Sequence, residues 1–89
     1  MFKNMYHVYL LKSLKDNNHY VGQTDNTDRR LNEHNAGKNK STKNRRPLAL
    51  IGYETYNTQG EARYREYELK NKPYKKKKFI EKLTNQDEK

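Results

Sequence analysis

The chain has 89 residues, in which 20 lysines and arginines outnumber 11 aspartates and glutamates for a net charge of +9, so it is one small basic domain with a modest core. The lack of cysteine removes disulfides, thiolate catalysis and cysteine-ligated zinc, and no apolar run has the length of a signal peptide or a membrane span. A cytoplasmic protein with a polyanionic partner is expected; nucleic acid, an anionic membrane surface and a ribosomal surface all satisfy the charge alone.

Residues 5–11, MYHVYLL, alternate aromatic and branched side chains and predict a strand with Met5, His7, Tyr9 and Leu11 on one face and Tyr6, Val8 and Leu10 on the other. Asp16, Asn17 and Asn18 suit a turn, and His19 to Gln23 predicts the second arm of an antiparallel hairpin, with His7 and His19 placed to face one another. The polar residues 24–28 supply helix caps, and Gly37 suits a left-handed C-terminal cap, so a helix is expected from Thr27 to Ala36. Residues 38–46, KNKSTKNRR, have no apolar side chain and predict a basic loop.

Pro47 opens a third strand, LALIGYETY, expected to be the main core strand, with Leu48 and Leu50 on one face and Ala49, Ile51 and Tyr53 on the other. Thr58 and Glu61 have the spacing of a capping box and start a helix on which Ala62, Glu66 and Leu69 fall on the inward stripe. Asn71 and Pro73 interrupt that helix. A last one from about Tyr74 turns Phe79, Ile80 and Leu83 inward and Lys75 to Lys78 mostly outward, before a polar tail from Thr84. The expectation is thus an α/β (α+β) domain over residues 1–83, a three-stranded antiparallel sheet flanked by helices in the order β-β-α-β-α-α, with residues 84–89 as tail.

A carboxylate on an inward helical face must be neutralised, so Glu66 is expected to be protonated, held in an ion pair with Arg30 or another arginine, or bound to a metal. Arg30 and His34 project from one helical face; a guanidinium suits phosphate charge, but both residues are equally compatible with solvation. Tyr9 and Tyr20 stand on the two hairpin arms, where a phenol can donate to phosphate and a phenolate can deprotonate water, although strand tyrosines are usually structural. The three histidines lack metal-ligand spacing, and there is no phosphate loop, dinucleotide fingerprint or nucleophile elbow, so no small-molecule cofactor is expected. Lys38, Lys40, Lys43, Arg45 and Arg46 in one loop, with Lys75 to Lys78 later, predict contacts to a nucleic-acid backbone rather than base readout.

Read in order, HVY (7–9), YVG (20–22), DRRLNEHN (28–35) and EARYREYELK (61–70) resemble the GIY-YIG nuclease family, as do Ser41-Thr42-Lys43 and Arg46-Pro47, which are shared with its small stand-alone bacterial members. The first segment departs from Gly-Ile-Tyr at His7 and Val8, and Gln23 stands where several relatives have a lysine that assists the tyrosine. Asn71 lies near an asparagine position that some relatives use.

The resemblance implies a metal-dependent endonuclease hydrolysing nucleic-acid phosphodiester bonds, DNA before RNA, as a monomer or weak homodimer. Glu66 would hold one Mg²⁺ (or Mn²⁺), Arg30 would steady the phosphate, Tyr9 or Tyr20 would activate or position water, and His34 would assist with the proton or hold the phosphate. The competing expectation is a binding module on the same scaffold without useful turnover, and a weaker third is an adaptor for an acidic protein.

Overall fold

A computed structural model describes residues 4–85. The elements run β1 (Tyr6–Ser13), β2 (His19–Thr24), α1 (Thr27–Asn35), β3 (Leu48–Tyr56), α2 (Gln59–Asn71) and α3 (Pro73–Thr84), with one 3₁₀ turn at Lys43–Arg45. This is the expected β-β-α-β-α-α order and an α+β fold. Thr84, expected to open the tail, closes α3, with Asn85 as its cap; residues 86–89 of the tail lie outside the described residues.

The sheet order is β2-β1-β3, and β1 pairs antiparallel with both neighbours. Val8, Tyr9, Leu10 and Leu11 are all buried, so β1, and not β3 as expected, is the main core strand. Only Leu48 of β3 is fully buried, and Tyr53 is 45% exposed. An apolar run such as LALIGY does not reveal whether its strand has neighbours on both sides, and β3 lies at the sheet edge. A register shift between Leu10 and Leu11 adds Ile51 as an extra residue on β3, since Leu10 pairs with Gly52 and Leu11 with Leu50. His7 and His19 do not face each other: their partners across the hairpin are Thr24 and Lys12, at opposite ends.

The two sheet faces hold separate cores, as the alternation along β1 demands. On one face Val8, Leu10 and Val21 meet Ala62 and Leu69 of α2 and Phe79 and Leu83 of α3. On the other, Tyr9, Leu11 and Leu48 pack with Tyr20, Leu31 of α1 and Leu50. The three helices therefore sandwich the sheet.

Local rules set the helix ends. Asn26 caps α1 by accepting from the Arg29 amide, and Gly37, at φ 79°, closes it: the Gly37 amide donates to the His34 carbonyl and the Lys38 amide to that of Glu33. The capping box of α2 forms as expected, with the Glu61 amide donating to Thr58 Oγ1 at 3.1 Å and the Thr58 amide to Glu61 Oε1 at 3.2 Å. The lysine run of α3 is less outward than its sequence implies: Lys75 pairs with Glu68 at 2.6 Å and Lys76 donates to the His19 carbonyl, while Lys77 and Lys78 are exposed.

The 38–46 segment is a structured connection. The buried Ser13 hydroxyl donates to the Arg45 carbonyl at 2.7 Å, the Leu14 amide donates to the Pro47 carbonyl, and Arg45 reaches Asp16 at 3.3 Å. These bonds join the hairpin tip to the entrance of β3. Phe79 is 1% exposed and anchors α3, so Phe79→Ala is expected to cost about 3–5 kcal/mol, whereas Thr58→Ala, which removes only a cap, is expected to cost about 1 kcal/mol. Urea denaturation of the two variants beside the parent checks that order.

Candidate active site

Tyr9 lies at the centre of the middle strand with its side chain on the α1 face, and its neighbour across the hairpin is Gly22. A Cβ at position 22 would collide with the phenol oxygen and with Cζ of Tyr9. The glycine is therefore required because the tyrosine ring lies across its α-carbon, and no larger residue leaves that space.

The Tyr9 hydroxyl is the hub of a polar group. Arg30 Nε donates to it at 3.4 Å, and His34 Nε2 lies 3.0 Å from it. The i, i+4 spacing on α1 delivers both side chains to one phenol. His34 Nδ1 lies 2.7 Å from Thr42 Oγ1, and both His34 and Thr42 are fully buried, which settles for His34 the choice between solvation and a packed role. A neutral imidazole carries one proton, so the chain runs either from Tyr9 through His34 to Thr42 or in the reverse direction.

Burial, reinforced by the charge of Arg30, pushes the His34 pKa down to about 4, so the ring is neutral at physiological pH. Burial pushes the Tyr9 phenol up to about 12, against the lowering effect of Arg30 and with small raising contributions from Tyr20 and Glu66. Tyr9 is consequently a neutral phenol at physiological pH. Arg30 also pairs with Glu33 at 2.9 Å, which together with Tyr9 keeps its charge fixed.

Tyr20 extends the group towards the edge of the sheet. Its ring centroid lies 5.2 Å from that of His34 and 6.5 Å from that of Tyr9, and unlike Tyr9 it is only half-buried. The Lys70 ammonium lies 5.1 Å from the Tyr20 ring centroid and 2.9 Å from Glu66 Oε2. Since β2 is an edge strand, α2 reaches from the opposite face of the sheet to this rim.

Glu66 thus differs from its sequence expectation. It is not a carboxylate among core residues: its side chain is 23% exposed, and its partner is Lys70 rather than an arginine. At about 100° per residue, Glu66 sits some 40° round the helix from Ala62 while Leu69 sits about 20° to the other side, so Glu66 occupies the shoulder of the buried stripe. Lys70 was missed because an i, i+4 Glu–Lys pair is ordinary on a helix surface; only its approach to Tyr20 distinguishes it. Thr42 belongs to the Ser-Thr-Lys segment of the family resemblance, but its burial against His34 is not legible in a segment with no apolar residue.

The structure therefore brings Tyr9, Tyr20, Arg30, His34 and Glu66 into one chain of contacts. It does not bring in the loop cations. Lys38, Lys40 and Lys43 are exposed, Arg45 is turned to Asp16, and Arg46 lies over Gly37 and donates to the Lys43 carbonyl at 2.8 Å. Lys15, Lys43 and Arg46 instead line a separate basic hollow of about 460 Å³.

Sequence comparison matches residues 5–79 to the GIY-YIG catalytic domain. The chain belongs to the GIY-YIG family. This GIY-YIG protein is 47% identical over 66 residues to the UPF0213 protein of Staphylococcus haemolyticus, covering 73% of the chain and 79% of the relative. It is 40% identical over 84 residues to the UPF0213 protein YazA of Bacillus subtilis, covering 92% and 85%. The solution NMR structure of a UPF0213 protein from Bacillus halodurans aligns with a TM-score of 0.53 at 35% identity, covering 89% of this chain and 84% of that one. The GIY-YIG scaffold is a nuclease fold, and among the described residues no helix is long and apolar enough to cross a membrane.

Two measurements probe the tyrosine–histidine group. Gly22→Ala is expected to lose roughly 1–3 kcal/mol through overpacking against Tyr9, which urea denaturation reads. His34 has a folded pKa of about 4 against an ordinary value of about 6.5, so the unfolded chain binds the extra proton between those values and stability falls as pH drops from about 6.5 to 4. The His34 contribution is on the order of 3 kcal/mol at 1.36 kcal/mol per unit, and His34→Gln, though less stable at neutral pH, is expected to show a flatter stability–pH slope in that window.

Proposed function

We propose that this protein is a metal-dependent endonuclease that hydrolyses phosphodiester bonds in nucleic acid, DNA before RNA. The reading is carried by the continuous contact chain from Arg30 through Tyr9, His34 and Tyr20 to Lys70 and Glu66, which links a cation suited to phosphate, two phenols and a partly exposed carboxylate from the middle strand out to the rim of β2.

Arg30, held by Tyr9 and Glu33, presents a permanent charge for the phosphate as its negative charge shifts in the transition state. Tyr20 is the tyrosine that meets the attacking water, because Tyr9 is only 2% exposed and its phenol is held protonated. The Lys70 ammonium over its ring sets Tyr20 beside Glu66 at the exposed rim of the site. Tyr9 orients Arg30 and His34, and the neutral His34 ring forms the polar floor beneath the two phenols.

Glu66 is the residue that would hold the divalent cation. Its partly exposed carboxylate is a hard oxygen donor suited to Mg²⁺ or Mn²⁺, ions that keep several waters and accept a phosphate oxygen rather than requiring an all-protein cage. This suits a site where, among the described residues, no three histidine, aspartate or glutamate side chains cluster. Lys70 must turn away from Glu66 for the cation to bind. When bound, the cation supplies Lewis-acid polarisation of the phosphate and lowers the pKa of water. The basic hollow at Lys15, Lys43 and Arg46 provides a phosphate contact for the rest of the strand, worth salt-dependent affinity without sequence readout.

The test is cleavage of single-stranded, duplex and branched DNA and of RNA, with Mg²⁺, Mn²⁺ or chelator, using the protein beside Glu66→Ala, Arg30→Ala and Tyr20→Phe. Metal-dependent cleavage is expected, reduced about 100-fold or more in each variant. Nucleic-acid binding without cleavage of any substrate, unaffected by Glu66→Ala, would favour the binding module and sink the enzymatic reading.

A further inference from the structure

A second cavity, of about 400 Å³, opens between the N-terminal ends of α1 and α2 at the edge of β2. Arg30 lines it and also touches Tyr9, so the cavity is continuous with the chain of side chains proposed for phosphodiester hydrolysis. Gln23, Arg29 and Glu33 form other parts of its wall, and Gln59 reaches it from α2. Its volume falls within the range of roughly 300–1,000 Å³ typical of small-molecule sites.

The wall is polar, yet its charges cancel locally. Arg29 pairs with Asp25 at 2.7 Å and approaches Glu33 at 3.7 Å, and Arg30 pairs with Glu33 at 2.9 Å. Two carboxylates thus offset two guanidinium groups, which suits a neutral polar group better than a second phosphate. The basic hollow at Lys15, Lys43 and Arg46, whose lining has no carboxylate, is of the opposite kind.

Gln23 supplies the recognising atom. Among the described residues, its Oε1 is the one buried side-chain polar atom without a hydrogen-bond partner. Buried acceptors are almost always satisfied, and one that is not needs a donor from elsewhere. The backbone of Gln23 is fixed in β2 opposite Val8, and its side chain, part of the cavity wall, has only to turn about its own torsions to bring the buried Oε1 to an entering donor.

We propose that this cavity is a nucleobase subsite, in which Gln23 Oε1 accepts a hydrogen bond from the exocyclic amino group of the base beside the phosphate held by Arg30. The assignment rests on the nuclease reading and narrows it. The substrate presents an accessible base at that position, and adenine, cytosine or guanine is preferred there over thymine or uracil, whose one edge donor, N3–H, is flanked by two carbonyl oxygens that repel the approaching Oε1. Gln23 is then a specificity-determining residue.

The test has two arms. In the first, ¹⁵N-labelled parent protein is titrated with deoxycytidine, deoxyadenosine and thymidine monophosphates without metal. The Gln23 side-chain amide signals are expected to shift with the first two and much less with the third; equal shifts, or none, overturn the subsite.

In the second, single-stranded oligonucleotides varied in base on either side of the cut are offered with Mg²⁺ to the parent, Gln23→Met and Gln23→Glu. The parent is expected to favour amino-bearing bases about tenfold at one flanking position, Gln23→Met to lose that preference, and Gln23→Glu, which retains the acceptor, to keep it. Cleavage whose base profile is unchanged in Gln23→Met removes the subsite and leaves the nuclease reading standing. Base-dependent Gln23 shifts in a protein that cleaves nothing do the reverse.

Discussion

Tyr9 can lie flat across the hairpin only because position 22 has no side chain, and the geometry of the candidate site follows from that contact. The middle strand is buried on both faces, so its backbone cannot shift to accommodate a different packing without disturbing both cores. Lying across Gly22, the phenol oxygen falls where α1 presents Arg30 and His34, four residues apart. A tyrosine that is a poor base by itself thereby becomes the piece that fixes the direction of a guanidinium and the place of a buried imidazole.

The electrostatics of the group follow from its layering. The inner members, Tyr9 and His34, are both kept neutral by burial, since removal from water disfavours phenolate and imidazolium alike. The outer members, Arg30, Glu66 and Lys70, retain partial contact with solvent and pair with neighbours instead. Fixed charges at the rim over a neutral hydrogen-bonded floor suit an anionic ligand that arrives from solvent and must be held in one orientation. Tyr20 stands at the boundary between these layers.

A small core supports this arrangement because the polar connections share the work. Asn35 both donates to the Leu48 carbonyl and accepts from the Leu48 amide, which joins the end of α1 to the start of β3. Ser13 ties the hairpin tip to the 38–46 segment, and Thr42 in that segment closes the far side of the His34 ring. A segment rich in lysine and arginine thus has its cations outward and two structural contacts inward. Burial raises the Glu54 pKa, but the bonds from Arg65, Lys82 and Tyr56 together outweigh it and hold the carboxyl down at about 2, which secures β3 to α2 and α3.

Much of this was legible in the sequence. Element order followed from alternation, from the capping pairs at Thr58–Glu61 and Gly37, and from Pro47 and Pro73, all local rules that need no partner. The GIY-YIG resemblance picked out Tyr9, Tyr20, Arg30, His34 and Glu66 from intervals along the chain. Contacts between distant segments were not legible. Which strand is central, that His34 is buried against Thr42, that Glu66 sits on the shoulder of its helix with Lys70, and that Gln23 leaves an acceptor without a partner all depend on what other elements bring to the same place. Periodicity gives the direction of a side chain about its own axis, whereas its burial and partners are set by strand order and helix placement, and these only the tertiary structure decides.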